Sequence, residues 1–238
     1  MKRSELIISV LLALMFSTPI SLKAQIFTVD DIQYWVTNVD AKEVSVGRYV
    51  GSDDILTLSV PGTVTYDNQE FTVTSIGANA FYNCNSLKEI NIPSSVTSIG
   101  YGAFSGCTNL VDINIPEGVT SIEGSAFSEC KSLSEIIIPS SVTSIGVSAF
   151  RGCTNLAKVN IPEGVTSIEG SAFYECKSLS EIIIPSSVTS IGSRAFDGCT
   201  NLAKVNIPEG VTSIGDYTFY ECKSLSEIII PSSVTSIG

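Results

Sequence analysis

From Ser75 to Gly238 the chain repeats itself every 23 residues without an insertion or deletion. The first unit, SIGANAFYNCNSLKEINIPSSVT, closes at Thr97; others begin at Ser98, Ser121, Ser144, Ser167, Ser190 and Ser213, and an eighth starts as Ser236-Ile237-Gly238. All seven cysteines (Cys84, Cys107, Cys130, Cys153, Cys176, Cys199 and Cys222) keep this spacing. A fixed period constrains a fold strongly, because each unit is one element that buries its apolar side only by stacking on its neighbours. A second period of 46 overlies the first. Units from Ser121, Ser167 and Ser213 share CKSLSEIIIPSSVT, whereas those from Ser98, Ser144 and Ser190 share CTNL and NIPEGVT. The duplicated unit is therefore a pair of repeats.

Within a unit, Leu87, Ile90 and Ile92 give the spacing Leu-x-x-Ile-x-Ile, in which residues 90 and 92 share a face at the strand period of two. Pro93 has no N–H to donate and ends the strand. Val96 and Ile99 form a short return segment, and Gly100 permits a tight bend. Ala80, Phe81, Cys84 and Leu87 recur at three-to-four spacing, which predicts one helical or 3₁₀ turn. Coils stacked about 4.8 Å apart would join the Leu-x-x-Ile-x-Ile segments into a parallel sheet. The expected fold is a β-rich solenoid of seven 23-residue repeats and a truncated eighth over residues 75–238.

The unit S-I-G-x-x-A-F-x-x-C-x-x-L-x-x-I-x-I-P-x-x-V-T resembles the BspA-type leucine-rich repeats of bacterial surface proteins, and the resemblance covers Ser75 to Gly238. It implies a right-handed, gently curved leucine-rich-repeat coil with the parallel sheet on its concave face, displayed outside the cell. It also implies adhesion to host matrix proteins or to other microbes. Longer relatives carry a C-terminal cap or anchoring domain that is not visible here.

Residues 25–74 depart from the repeat. Ile32, Tyr34 and Val36 alternate with Gln33, Trp35 and Thr37, as strands do. Val64–Tyr66, Asp67-Asn68 and Phe71–Val73 read as a hairpin with its turn at the centre. A β-rich N-terminal cap is the expected use, since the first coil of a solenoid exposes an apolar end. Residues 1–24 read as a secretory signal peptide. Lys2 and Arg3 precede an apolar run from Leu6 to Phe16 that is too short to span a bilayer, with cleavage expected after Ala24. The mature chain is thus expected to be secreted or at the cell surface, with no membrane span. The leader carries three positive charges and one negative, so the net −11 of the chain becomes −13 without it. A polyanion of this size repels nucleic acid.

The chain contains no histidine, which excludes Ser-His and Cys-His nucleophilic sites and every His-liganded metal. No phosphate loop or dinucleotide fingerprint occurs. Glu129, Glu175 and Glu221 are copies of one repeat position, whereas a catalytic site is usually singular. The sequence predicts no enzyme, no cofactor and no metal. Stacked cysteines lie within disulfide reach, but each sits between apolar positions, where a free thiol serves as a small hydrophobe; a buried reduced ladder is expected.

Binding is the remaining class. The outward position before the first strand isoleucine reads Glu89, Asp112, Glu135, Lys158, Glu181, Lys204, Glu227, predicting cross-strand pairs of Glu135 with Lys158 and Glu181 with Lys204. The next reads Asn91, Asn114, Ile137, Asn160, Ile183, Asn206, Ile229. Period two turns Ile137, Ile183 and Ile229 away from the core, and apolar residues exposed in a row mark contact surfaces. These isoleucines, the intervening Asn114, Asn160 and Asn206, and the Glu/Lys ladder form the expected docking face for a protein ligand. A passive spacer role and carbohydrate binding are the alternatives. Tyr101, Tyr174 and Tyr220 read as too scattered along the chain for a sugar platform.

Overall fold

A computed structural model describes residues 25–238. The expected signal peptide, 1–24, lies outside the described residues.

The chain opens with two antiparallel pairings. Strands β1 (Ile26–Val29) and β2 (Ile32–Asn38) meet through Asp30 and Asp31, and β2 pairs in turn with β3 (Glu43–Tyr49). Both aspartates have positive φ, 46° and 63°, as a two-residue hairpin turn requires. After β4 (Thr57–Ser59), the expected second hairpin forms between β5 (Thr63–Tyr66) and β6 (Gln69–Ile76), with Asp67 and Asn68 at φ 49° and 56°. Phe27 gathers this region, its ring 4.4 Å from Tyr66 and 5.7 Å from both Tyr34 and Phe71. Burial, with Asp30 nearby, pushes the Tyr34 phenol up to about 12.

Beyond Ile76 the coils contribute two series of short strands. One series is β7 (Glu89–Asn91), β9 (Asp112–Asn114), β11 (Glu135–Ile137), β13 (Lys158–Asn160), β15 (Glu181–Ile183) and β17 (Lys204–Asn206). The other is the Ser-Ile dipeptide of each coil: β8 (Ser98–Ile99), β10 (Ser121–Ile122), β12 (Ser144–Ile145), β14 (Ser167–Ile168), β16 (Ser190–Ile191), β18 (Ser213–Ile214) and β19 (Ser236–Ile237). All pairings within these series are parallel, and each residue sits opposite its counterpart 23 positions away. The N-terminal region enters the same stack, because β3 lies parallel to β6, β6 to β8, and β4 to β7. Among the described residues there is no helix.

The interior consists of columns of identical residues. Phe81, Phe104, Phe127, Phe150, Phe173, Phe196 and Phe219 stack with centroids 5.3–5.7 Å apart and planes within 8° of parallel. Leucine, isoleucine, valine, alanine and cysteine columns fill the rest of the core. The coils from Ser121 and Ser167 carry Glu123 and Glu169 at the bend; where the bend residue is glycine, it is there for room rather than for a left-handed backbone. A Cβ on Gly146 would lie 2.7 Å from the carbonyl carbon of Glu123 and 2.8 Å from Cα of Gly124.

The predicted helical or 3₁₀ turn is not formed. On this third side of each coil, alternate N–H groups donate along the stack: Asn79 N to Tyr101 O, Phe81 N to Ala103 O and Asn83 N to Ser105 O. The N–H groups between them close short turns, Ala80 N to Gly77 O, Tyr82 N to Asn79 O and Cys84 N to Phe81 O. A helix would need every one of those donors for itself. The switch is made by two left-handed residues per coil, such as Asn79 and Asn83 or Ser125 and Glu129, whose φ values lie between 56° and 61°. Each non-glycine residue held there costs roughly 1–2 kcal/mol, and the inter-coil hydrogen bonds offset it.

Candidate functional site

The strand face carries the residues singled out from the sequence. Its isoleucines stand clear of the core: Ile137, Ile183 and Ile229 are 70%, 71% and 75% exposed. Their strand neighbours Ile136 and Ile182 are buried. Asn114, Asn160 and Asn206 are exposed at the matching positions. Of the two expected ion pairs one closes, with Lys158 Nζ 2.7 Å from Glu135 Oε1. That hydrogen bond raises the lysine pKa above its ordinary value. Glu181 and Lys204 oppose each other in register, but no ion pair joins them.

The strand ladder is interrupted every second coil, which the sequence reading did not anticipate. Hydrogen-bonded groups are β4-β7-β9, then β11-β13, then β15-β17. Each strand that ends in isoleucine pairs with the strand that follows, which ends in asparagine, and the ladder stops there. Residues 227–229, expected as the next strand, fall across the third such gap and form none. The 46-residue period is thus a physical unit, two coils joined at this face by backbone hydrogen bonds.

An open hollow occupies each of the first two gaps. One, about 620 Å³, is lined by Asp112, Asn114, Pro116, Glu117, Glu135 and Ile137. The other, about 710 Å³, is lined by Lys158, Asn160, Pro162, Glu163, Glu181 and Ile183. Each residue of the second stands 46 positions after one of the first, so the two are one place repeated. Ser140 and Ser186 reach across the rims to Glu117 and Glu163, at 3.3 Å and 3.1 Å. The structure therefore gathers seven of the ten chosen residues around these hollows, while Lys204, Asn206 and Ile229 flank the third gap.

The cysteines form a column of free thiols. Each of the six from Cys107 onward donates from Sγ to the carbonyl of a Phe 26 residues earlier, at 3.0–3.2 Å. Desolvation pushes the Cys107 and Cys153 thiols up to about 12, and those of Cys84 and Cys222 up to about 11. A thiol so disfavoured as thiolate is a poor nucleophile.

The tyrosines contradict their sequence reading. Tyr101 stands apart, but Tyr174 and Tyr220 converge with Tyr217 on one hollow of about 450 Å³ on the third side of the last coils. Tyr217 and Tyr220 meet edge to face at 5.8 Å. The Arg194 guanidinium lies 5.3 Å over the Tyr217 ring and 3.8 Å from Asp197, while Arg151 lies 5.0 Å over Tyr174. The Asp197 side chain is 8% exposed, and its burial raises its pKa, a shift that Arg194 opposes. The column Tyr174, Asp197, Tyr220 at one repeat position is visible in the sequence once the units are aligned; Arg194 and Tyr217, one short turn earlier, are the signal that was missed.

A stack with invariant 23-residue register, a parallel strand ladder and a phenylalanine core defines a leucine-rich-repeat solenoid. The model of the BspA-type leucine-rich repeat region matches in six copies across residues 63–180 and 167–238, and the chain belongs to that family. A leucine-rich repeat protein from T. pallidum is 34% identical with a TM-score of 0.76, over 85% of this chain and 92% of that one. One from Bacteroides ovatus is 31% identical with a TM-score of 0.68, over 89% of this chain and 61% of its own length. The pneumococcal vaccine antigen PcpA, 20% identical with a TM-score of 0.53 over 88% of this chain and 71% of its own, shares the fold. No protein of curated function matches the chain.

Proposed function

We propose that this protein is an extracellular or cell-surface protein-binding solenoid, an adhesin for host matrix or microbial proteins, and that the strand face is where the ligand docks. The supporting observation is the exposed row of Ile137, Ile183 and Ile229, each beside a gap in the ladder. An exposed isoleucine contributes apolar area to a partner at little cost of its own, and the neighbouring asparagines and unpaired strand backbone supply hydrogen bonds. Charge at the rim fixes register more than affinity. Export rests on the leader-like 1–24 segment, and the term adhesin on the family.

The test is capture of purified matrix proteins by the mature chain, compared with the variant Ile137→Ser/Ile183→Ser/Ile229→Ser. Saturable binding by the parent and none by the folded variant is the expected result. Equal binding by the two would remove the docking site from this face, and a parent that binds no protein would favour a passive spacer.

A further inference from the structure

From Ser121 onward, copies 46 residues apart differ from one another in one region. The units from Ser121, Ser167 and Ser213 are identical from their ninth residue onward, as are those from Ser144 and Ser190. The first two of the former set differ only where Ser128 becomes Tyr174. The latter pair differs only where Val147, Ser148 and Arg151 become Ser193, Arg194 and Asp197. Between the Ser167 and Ser213 units, Ser171 becomes Tyr217, with changes at the three positions around it. From Ser121 onward the strand face is therefore the same in each pair of coils. The singular residues collect on the third side of the last three coils, where they line the 450 Å³ hollow.

What they build there is chemically consistent. Tyr217 and Tyr220 are 58% and 56% exposed, presenting ring faces with a hydroxyl at the tip. The Arg194 guanidinium is held between the Tyr217 ring and the Asp197 carboxylate, which fixes the direction of its remaining donors. Asp197 is buried beneath the hollow with Arg194 as its ion partner, and Glu175 and Glu221 offer further acceptors at the rim. Lys177 and Lys223 sit 3.8 Å and 2.9 Å from those two glutamates, so the charges of the rim are paired.

A sugar ring matches these features, with an apolar C–H face for an aromatic side chain and outward hydroxyls for a guanidinium and carboxylates. The lining carries three carboxylates against Lys177 and Arg194, which disfavours an anionic ligand. Its small volume suits a mono- or disaccharide rather than a protein surface.

We infer that the hollow formed by Tyr174, Arg194, Asp197, Tyr217 and Tyr220 is a binding site for a neutral saccharide, separate from the strand face. One solenoid then carries a protein-docking ladder on one side and a single glycan contact on another. The inference stands on its own geometry and does not require the strand-face reading.

The test is a panel of neutral mono- and disaccharides titrated calorimetrically into the purified chain, followed by the single variants Tyr217→Ser and Arg194→Ser. Each places at its position the residue that an earlier coil already carries, Ser171 or Ser148, so the fold is retained and circular dichroism checks it. The expected result is saturable binding of at least one sugar, weakened about tenfold or more by either variant. The triple isoleucine variant of the strand face binds that sugar with unchanged affinity. Absence of binding across the panel overturns the inference, and so does binding that both serine variants leave intact.

Discussion

Raising the pH should unfold this protein through its cysteine column. The thiols of Cys107 and Cys153 are pushed from an ordinary 9.0 to about 12 by burial. The group is an acid whose folded pKa is raised. Its contribution is therefore fully present below pH 9, where both states hold the proton, and it is lost as pH rises toward 12, because the unfolded chain releases protons that the fold retains. At pH 10.5 the unfolded thiol lies 1.5 pH units above its pKa of 9.0, and the folded one is still protonated. One unit is worth about 1.4 kcal/mol, so each of these two thiols removes about 2 kcal/mol between pH 8 and 10.5, about 4 kcal/mol together. That is a large part of a stability of about 5–15 kcal/mol. The assay is urea unfolding followed by circular dichroism at several pH values, for the parent and for Cys107→Ala/Cys153→Ala. Tyrosines and lysines titrate equally in both chains and cancel in the difference. The variant should start less stable and lose about 4 kcal/mol less over that interval; parallel pH curves would refute the argument.

Three further outcomes follow from the packing. Phe150→Ala, which removes a ring stacked between Phe127 and Phe173 at 5.4 Å on both sides, should cost about 3–5 kcal/mol in urea unfolding. Gly146→Ala should cost about 1–3 kcal/mol although alanine is apolar and small, because its Cβ meets the backbone of the preceding coil; an unchanged midpoint would show that the coils can part. Deleting residues 25–66 should produce aggregation visible by size-exclusion chromatography, since it uncovers Phe81 where Tyr49 packs, 6.4 Å between centroids, and frees the edge of β6.

The stack was legible because a period of 23 and a polarity pattern of two survive without knowledge of any angle. Phe81 and Ile90 had to be interior, since no other arrangement buries one apolar column per coil. The turns of the third side were misread for an identifiable reason. An apolar spacing of three to four suits a helix and a row of short turns equally, and what decides between them is whether Phe81 N–H bonds within its coil or to Ala103 of the next. Nor do Ser125, Glu129 or Tyr217 announce a left-handed backbone as glycine would. On the strand face, the outward alternation located Ile137 and Ile183, but β7 and β9 both end in asparagine with an acidic residue two positions before it, and β7 pairs onward while β9 does not, so the asparagine end alone did not mark the gaps. The tyrosine hollow was hidden by distance along the chain, since Tyr174 and Tyr217 occupy different repeat positions two coils apart.

The pairing of coils at the strand face bears on how such a chain changes its grip. A duplication of 46 residues would append one complete module, with its own gap, hollow and projecting isoleucine, and leave those already present undisturbed. Length then acts as valency. Against a ligand that itself repeats, every added module binds at the high local concentration set by its tethered neighbours, so that avidity can rise by orders of magnitude without a single new kind of contact.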